Sequence, residues 1–137
     1  MGGMLDADLA TKAWETALAT PAWNGPPVWI HGDLHAGNLL VQRECLSAVI
    51  DFGGLGIGDP ACDLMVGWTL LNRQARKIFR ATLSVDDATW ARGRGWALFL
   101  GLVALPFYLH TNPALTGITQ YAIEQVLGDF SKIPSPS

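Results

Sequence analysis

The chain has 137 residues, half of them hydrophobic and 15% charged, enough for one domain with a substantial core and too few for two. A formal net charge of −3 gives no global attraction to nucleic acid or anionic lipid, so neither is expected as a partner. Two cysteines, Cys45 and Cys62, make no disulfide framework, and with no secretory signal at the N-terminus a cytoplasmic location is expected.

Residues 6–20, DADLATKAWETALAT, read as a helix capped by Asp6 or Asp8, with Leu9, Trp14 and Leu18 in an apolar stripe. PAWNGPP then breaks the chain, so residues 1–27 form an N-terminal helix and proline-rich linker. VWIH (28–31) is a short strand, followed by a polar loop over 32–37. NLLVQ (38–42) and LSAVIDF (46–52) are two more strands, joined tightly enough to pair as a hairpin. GGLGIGDP (53–60) is a glycine-rich loop that ends in a helix start, with Asp59 as cap and Pro60 in the first helical position. Helices follow over 61–72, 73–83, 86–109 (capped by Ser84 or Asp86) and 113–128, and residues 131–137 form a flexible tail. The longest apolar run, 95–109, is shorter than the ~20 residues of a bilayer span and contains Pro106, so it reads as a buried helix kinked near its end. Few short strands followed by four helices predict a mostly helical α+β unit over 28–130.

Three polar clusters fall at strand ends or in loops: His31, Asp33, His35 and Asn38; then Asp51; then Asp59 and Asp63. A hairpin between Asn38 and Asp51 returns Asp51 to the neighbourhood of Asp33. No lysine lies in this segment, and its one arginine is Arg43. Two carboxylates ~4 Å apart repel by roughly 4 kcal/mol at an intermediate dielectric, so one takes a proton or a cation sits between them. Asn and Asp supply hard oxygen ligands, and Mg²⁺ favours one or two carboxylates plus phosphate oxygens. A magnesium site that also needs a phosphorylated ligand is therefore expected.

His31-Gly32-Asp33-Leu34 with Asn38 fits the kinase pattern H-x-D-L-x-x-x-N, with Gly32 where protein kinases carry arginine, and Asp51-Phe52-Gly53 fits D-F-G. The fuller string HGDLHAGNLL…VIDFGGLGIGDPACDL closely resembles the aminoglycoside phosphotransferase family of small-molecule kinases, over residues 28–64 at motif level. The resemblance implies a protein-kinase-like C-lobe, with ATP as co-substrate, Mg²⁺ as cofactor and a small-molecule hydroxyl as acceptor. It implies Asp33 as catalytic base, Asn38 and Asp51 as magnesium ligands, and His31 as orienter of the catalytic loop. Asp63 matches the family aspartate that accepts that loop's backbone N–H groups. Asp59 supports the loop or, more simply, caps the following helix. His35 faces either the substrate or solvent.

The glycines at 53, 54, 56 and 58 match neither phosphate-loop pattern, so tight backbone turning beside the metal explains them better than phosphate cradling. In the family, acids between C-lobe helices attract cationic aminosugars; Asp86, Asp87, Glu124 and Asp129 are candidates here, and helix capping or a solvated surface explains them equally well. The helix run WALFLGLVALPFYL (96–109), with Trp68 and Trp96, equally suits an apolar pocket for a macrolide-like or other less polar alcohol, with core packing the simpler reading of both tryptophans. A complete kinase of this type also has an N-terminal β-lobe with a lysine and a loop over the ATP phosphates. Residues 1–27 hold Lys12 as their one lysine and no strand followed by such a loop, so a C-lobe without its nucleotide-gripping half is expected. The face that half would cover admits a homodimer. The rival readings are a catalytically impaired lobe serving as a binding or scaffolding module, and a metallophosphoesterase. The latter wants a histidine directly after "GN", where this chain has Leu39.

Overall fold

The computed structural model describes residues 7–108 and 110–132. In chain order the elements are α1 (Ala7–Ala19), β1 (Val28–Ile30), β2 (Leu39–Gln42), β3 (Cys45–Val49), β4 (Gly56–Gly58), α2 (Val66–Thr69), α3 (Arg73–Leu83), α4 (Asp87–Tyr108) and α5 (Pro113–Lys132). Three 3-10 helices, Ala36–Asn38, Phe52–Gly54 and Pro60–Met65, sit at the joints between them. This is a mostly helical α+β chain. No described helix is long and apolar enough to cross a membrane.

The strands form two separate antiparallel ribbons. β2 and β3 pair as the expected hairpin, Leu39 opposite Val49 and Gln42 opposite Cys45, with a bulge between Leu40 and Val41. Its turn residues, Arg43 (φ 54°) and Glu44 (φ 65°), are both left-handed, as the tightest hairpin turns require. The second ribbon was not expected: β4 lies inside the glycine-rich segment read as a loop and pairs with β1, Trp29 opposite Ile57. Glycines at 56 and 58 hide it, because a residue without a side chain carries no strand signal.

The segment expected as one helix over 61–72 is instead a 3-10 helix, Pro60–Met65, running into the single turn of α2. A three-residue period buries Ala61 with Leu64 and Cys62 with Met65 on adjacent faces. α4 starts where Asp86 accepts the Thr89 N–H at 2.7 Å, so Asp86 is the cap, while Ser84 (φ 53°) ends α3. α5 runs on to Lys132, four residues past its expected end and into the expected tail. Asp6 and residues 133–137 lie outside the described residues.

The core is the α4–α5 pair with α1, α2 and the 3-10 helix packed against it. Trp68, Leu98 and Val126 are fully buried at its centre, and the Trp68 and Trp90 rings meet at 4.7 Å. Trp68 is thus a core residue. Asp129 accepts from Trp68 Nε1 at 2.8 Å and pairs with Arg76 at 3.1 Å. Arg76, 4% exposed, also donates to the carbonyls of Gly67 and Leu71 and to Gln125. This network joins α3 to α5. Arg76→Ala is expected to lower stability by about 3–5 kcal/mol, since it leaves the Asp129 charge half-buried without its partner; urea unfolding followed by tryptophan fluorescence measures the loss.

Candidate active site

The loop over 31–38 is fixed from behind by one carboxylate. Asp63, in the 3-10 helix, accepts the His31 N–H at 2.8 Å and the Gly32 N–H at 3.0 Å, one on each oxygen. Hydrogen bonds to an ionised acceptor are the stronger kind, about 1.5–3 kcal/mol each. Gly32 has φ +90°, and a Cβ there would stand 2.3 Å from the Gly54 carbonyl oxygen. Backbone meets backbone at this point, so the loop and the turn after Asp51 are held together without room for a side chain. An arginine, as in protein kinases, would not fit.

His31 is buried and locked in one tautomer. Its Nε2 faces the Ile50 carbonyl at 2.8 Å, so Nε2 carries the hydrogen, and Nδ1 accepts the Asp33 N–H at 3.1 Å. Its ring lies 4.8 Å from that of Phe52. His31 thereby ties the residue before Asp51 to the backbone of Asp33. His35 is ordered the same way: Nδ1 accepts the Gly37 N–H at 3.0 Å, which turns Nε2 toward Asp33 Oδ1 at 3.3 Å. Asn38 donates through Nδ2 to the Asp33 carbonyl at 2.8 Å and to Asp33 Oδ2 at 3.3 Å. The nitrogen end of this carboxamide is therefore engaged, and its oxygen is the end left for a cation.

Asp51 ends the hairpin in a left-handed conformation (φ 59°), with one long contact from the Gly53 N–H at 3.4 Å. The Ile50 N–H donates to the Asn38 carbonyl at 2.9 Å, which aligns the two ends of the hairpin. A cavity of about 330 Å³ results, with Asp33, Asn38 and Asp51 in its polar wall beside His35. Its opposite wall is apolar, from Leu100 and Ala104 of α4 and Leu115 and Ile118 of α5. A smaller apolar slot of about 150 Å³ adjoins it, sharing Asp33, Leu100 and Ala104 and lined further by Trp96, Phe99 and Val103. Two carboxylates and a carboxamide are hard oxygen donors, suited to Mg²⁺ with phosphate or water completing its shell. No group of three His, Cys, Asp or Glu side chains converges on one point among the described residues.

The remaining candidates lie elsewhere. Asp59 caps the 3-10 helix through the Ala61 N–H at 2.9 Å and pairs with Arg92 at 2.7 Å, so it supports the fold and does not line the cavity. Asp86 is a helix cap whose carboxyl is held below its ordinary range by hydrogen bonds from Thr89. Asp87 pairs with Arg80, Glu124 is an exposed residue of α5, and Asp129 belongs to the Arg76 network. None of these four acids lines the Asp33 cavity. The family resemblance suggests them as acids between helices, with capping or a solvated surface as the equal alternative, and charge does not say which face of a helix a residue occupies. The apolar-pocket alternative names the run 96–109, which supplies Leu100 and Ala104; Leu115 and Ile118 of α5 were not anticipated.

Cys62 sits beneath the loop, its Sγ 3.8 Å from the Gly32 carbonyl. Burial, and next the charges of Asp63, Asp59 and Asp33, push its thiol up to about 11. A raised value keeps the thiol protonated through neutral pH and beyond. At pH 8 a disulfide reagent is expected to modify exposed Cys45 quickly and Cys62 only on unfolding, and Cys45→Ser to abolish the fast phase.

Comparison with known proteins adds the last observation. The chain finds no match among curated proteins or solved structures. The model of the phosphotransferase enzyme family matches residues 3–96, more than half of the chain, spanning the Asp63 anchor, the Asp33 loop and the Asp51 turn; this chain belongs to the phosphotransferase enzyme family, the aminoglycoside phosphotransferase group that its motifs resemble.

Proposed function

We propose that the chain is the catalytic, C-lobe half of a small-molecule kinase, which moves the γ-phosphate of ATP to a substrate hydroxyl. The observation that carries this reading is the single cavity shared by Asp33, Asn38 and Asp51. Asp33 acts as the base that takes the hydroxyl proton. Its two oxygens are steadied by His35 and Asn38, yet its side chain is 47% exposed, so it remains open to an acceptor. Asn38 and Asp51 hold Mg²⁺, whose role is to neutralise the phosphate charge. His31, Gly32 and Asp63 position the loop.

The acceptor is an alcohol with an apolar body rather than a polycationic aminosugar. Leu100, Ala104, Leu115 and Ile118 face the cavity, with no carboxylate from α4 or α5 among its lining. Trp96 and Phe99 extend the apolar surface into the adjoining slot that shares Asp33, Leu100 and Ala104. An exposed apolar patch beside the Asp51 turn, including Trp29 (71% exposed) and Ile57 across the β1–β4 ribbon, suits a further partner, a second copy among them.

With labelled ATP, Mg²⁺ and a panel of macrolide-like and aminosugar alcohols, transfer is expected to favour the apolar acceptors and to fall about 10²–10⁴-fold in Asp33→Asn. Electron paramagnetic resonance of Mn²⁺ with ATP is expected to show binding that Asp51→Ala removes. Mn²⁺ binding unchanged in Asp51→Ala would overturn the metal assignment. None of the four strands carries a lysine, so calorimetry on this polypeptide is expected to find Mg-ATP affinity weaker than micromolar. A micromolar affinity abolished by Asp51→Ala would show that no further lysine is needed.

A further inference from the structure

A second concave site lies away from the catalytic cavity and shares no lining residue with it. The chain is acidic overall and has nine Lys and Arg residues; five of them, Arg73, Arg76, Lys77, Arg80 and Arg94, line this one cavity of about 250 Å³. Asp129 is the one carboxylate in its lining, and both of its oxygens are occupied by Arg76 and Trp68.

The arrangement runs against what helix stability favours. α3, RQARKIFRATL, contains no acid. Its cations at 73, 76, 77 and 80 have spacings of three, four and seven, which stack like charges on one face. Arg73 occupies the first turn, where the helix dipole disfavours a cation. Arg80 is drawn back by Asp87 and lies over the Trp90 ring at 5.1 Å. Arg73 and Lys77 make no ion pair among the described residues. Arg94 comes in from α4, stacked on Phe130 at 4.4 Å, also without a carboxylate in ion-pair contact. Burial, reinforced by the charge of Arg80, pulls it below its ordinary range while Asp129 opposes the shift.

We infer that this cavity binds a compact, multiply charged phosphate ligand. Planar guanidinium groups match phosphate oxygens in pairs, and lysine adds a mobile point charge. The net local charge calls for more than one negative charge on the ligand. The concave shape and small volume favour a free phosphorylated small molecule over a lipid headgroup in a flat bilayer.

The probe is inorganic pyrophosphate, titrated into the whole chain in EDTA at matched ionic strength, so that no metal can recruit it to Asp51. The melting temperature is expected to rise with concentration, and calorimetry to give an affinity that falls about tenfold or more in Arg73→Ala/Lys77→Ala. Both residues are exposed, so the double variant keeps its fold; Lys77→Glu gives an independent reading of the same loss. Asp51→Ala is expected to leave pyrophosphate binding intact, which separates this site from the catalytic one. No melting shift, or a shift unchanged in both variants, overturns the inference. So does flotation with phosphatidylserine vesicles in the absence of any pyrophosphate binding.

Discussion

Two consecutive backbone N–H groups, those of His31 and Gly32, end on the two oxygens of the Asp63 carboxylate. Everything that shapes the cavity follows from that anchorage. With the His31 backbone fixed, its ring can span from the Ile50 carbonyl to the Asp33 N–H. With Gly32 fixed at positive φ, the backbone of Gly54 packs where its side chain would stand, and this holds the turn after Asp51 against the loop. Asp33 and Asp51 belong to different supersecondary units, and Asp63 to a third. A single acid in the first turn of a 3-10 helix thus sets the relation between the two carboxylates that face the cavity.

The described carboxylates of the loop, its supports and the basic cavity divide by how fully they are compensated. Asp63 has two backbone donors, Asp59 has Arg92 and a backbone N–H, and Asp129 has Arg76 and an indole. These short, well-paired interactions hold the fold. Asp33 instead has two side-chain contacts of 3.3 Å, and Asp51 a single contact of 3.4 Å. Weak compensation beside a cavity leaves charge available to something that enters it. The same comparison separates the two kinds of arginine: Arg76 and Arg92 are fully engaged, whereas Arg73 and Arg94 are not.

Much of the site was legible because its signals are local. H-x-D-L-x-x-x-N, D-F-G and the Asp59-Pro60 helix start each depend on a few adjacent residues whose backbone chemistry is fixed by type. The hairpin followed from two β-rich runs with a short link. The β1–β4 ribbon was not legible, because Gly56 and Gly58 become strand only when docked against Val28 and Ile30. Nor was the Arg76–Asp129 pair, whose members are 53 residues apart in sequence and meet only after α3 folds onto α5. Long-range contacts of this kind leave no periodic trace.

The misplaced acids show where a physical reading of sequence runs out. Asp86, Asp87, Glu124 and Asp129 look alike as letters, yet a cap, a surface pair, a solvated residue and a buried anchor have nothing in common energetically. What distinguishes them is the neighbour each meets. The apolar wall of the cavity has the reverse character: Leu100, Ala104, Leu115 and Ile118 form one surface although they come from two helices. α4 is apolar through its C-terminal half, so its pattern admits a pocket wall without saying which residues line it and which, like Gly101 against Ile123, pack in the core. Helix α4 also carries Trp90 and Arg94 to the basic cavity and Leu100 and Ala104 to the Asp33 cavity. Its packing on α5 therefore holds both concave surfaces in a fixed relation, and neither could be shaped without the core beneath the other.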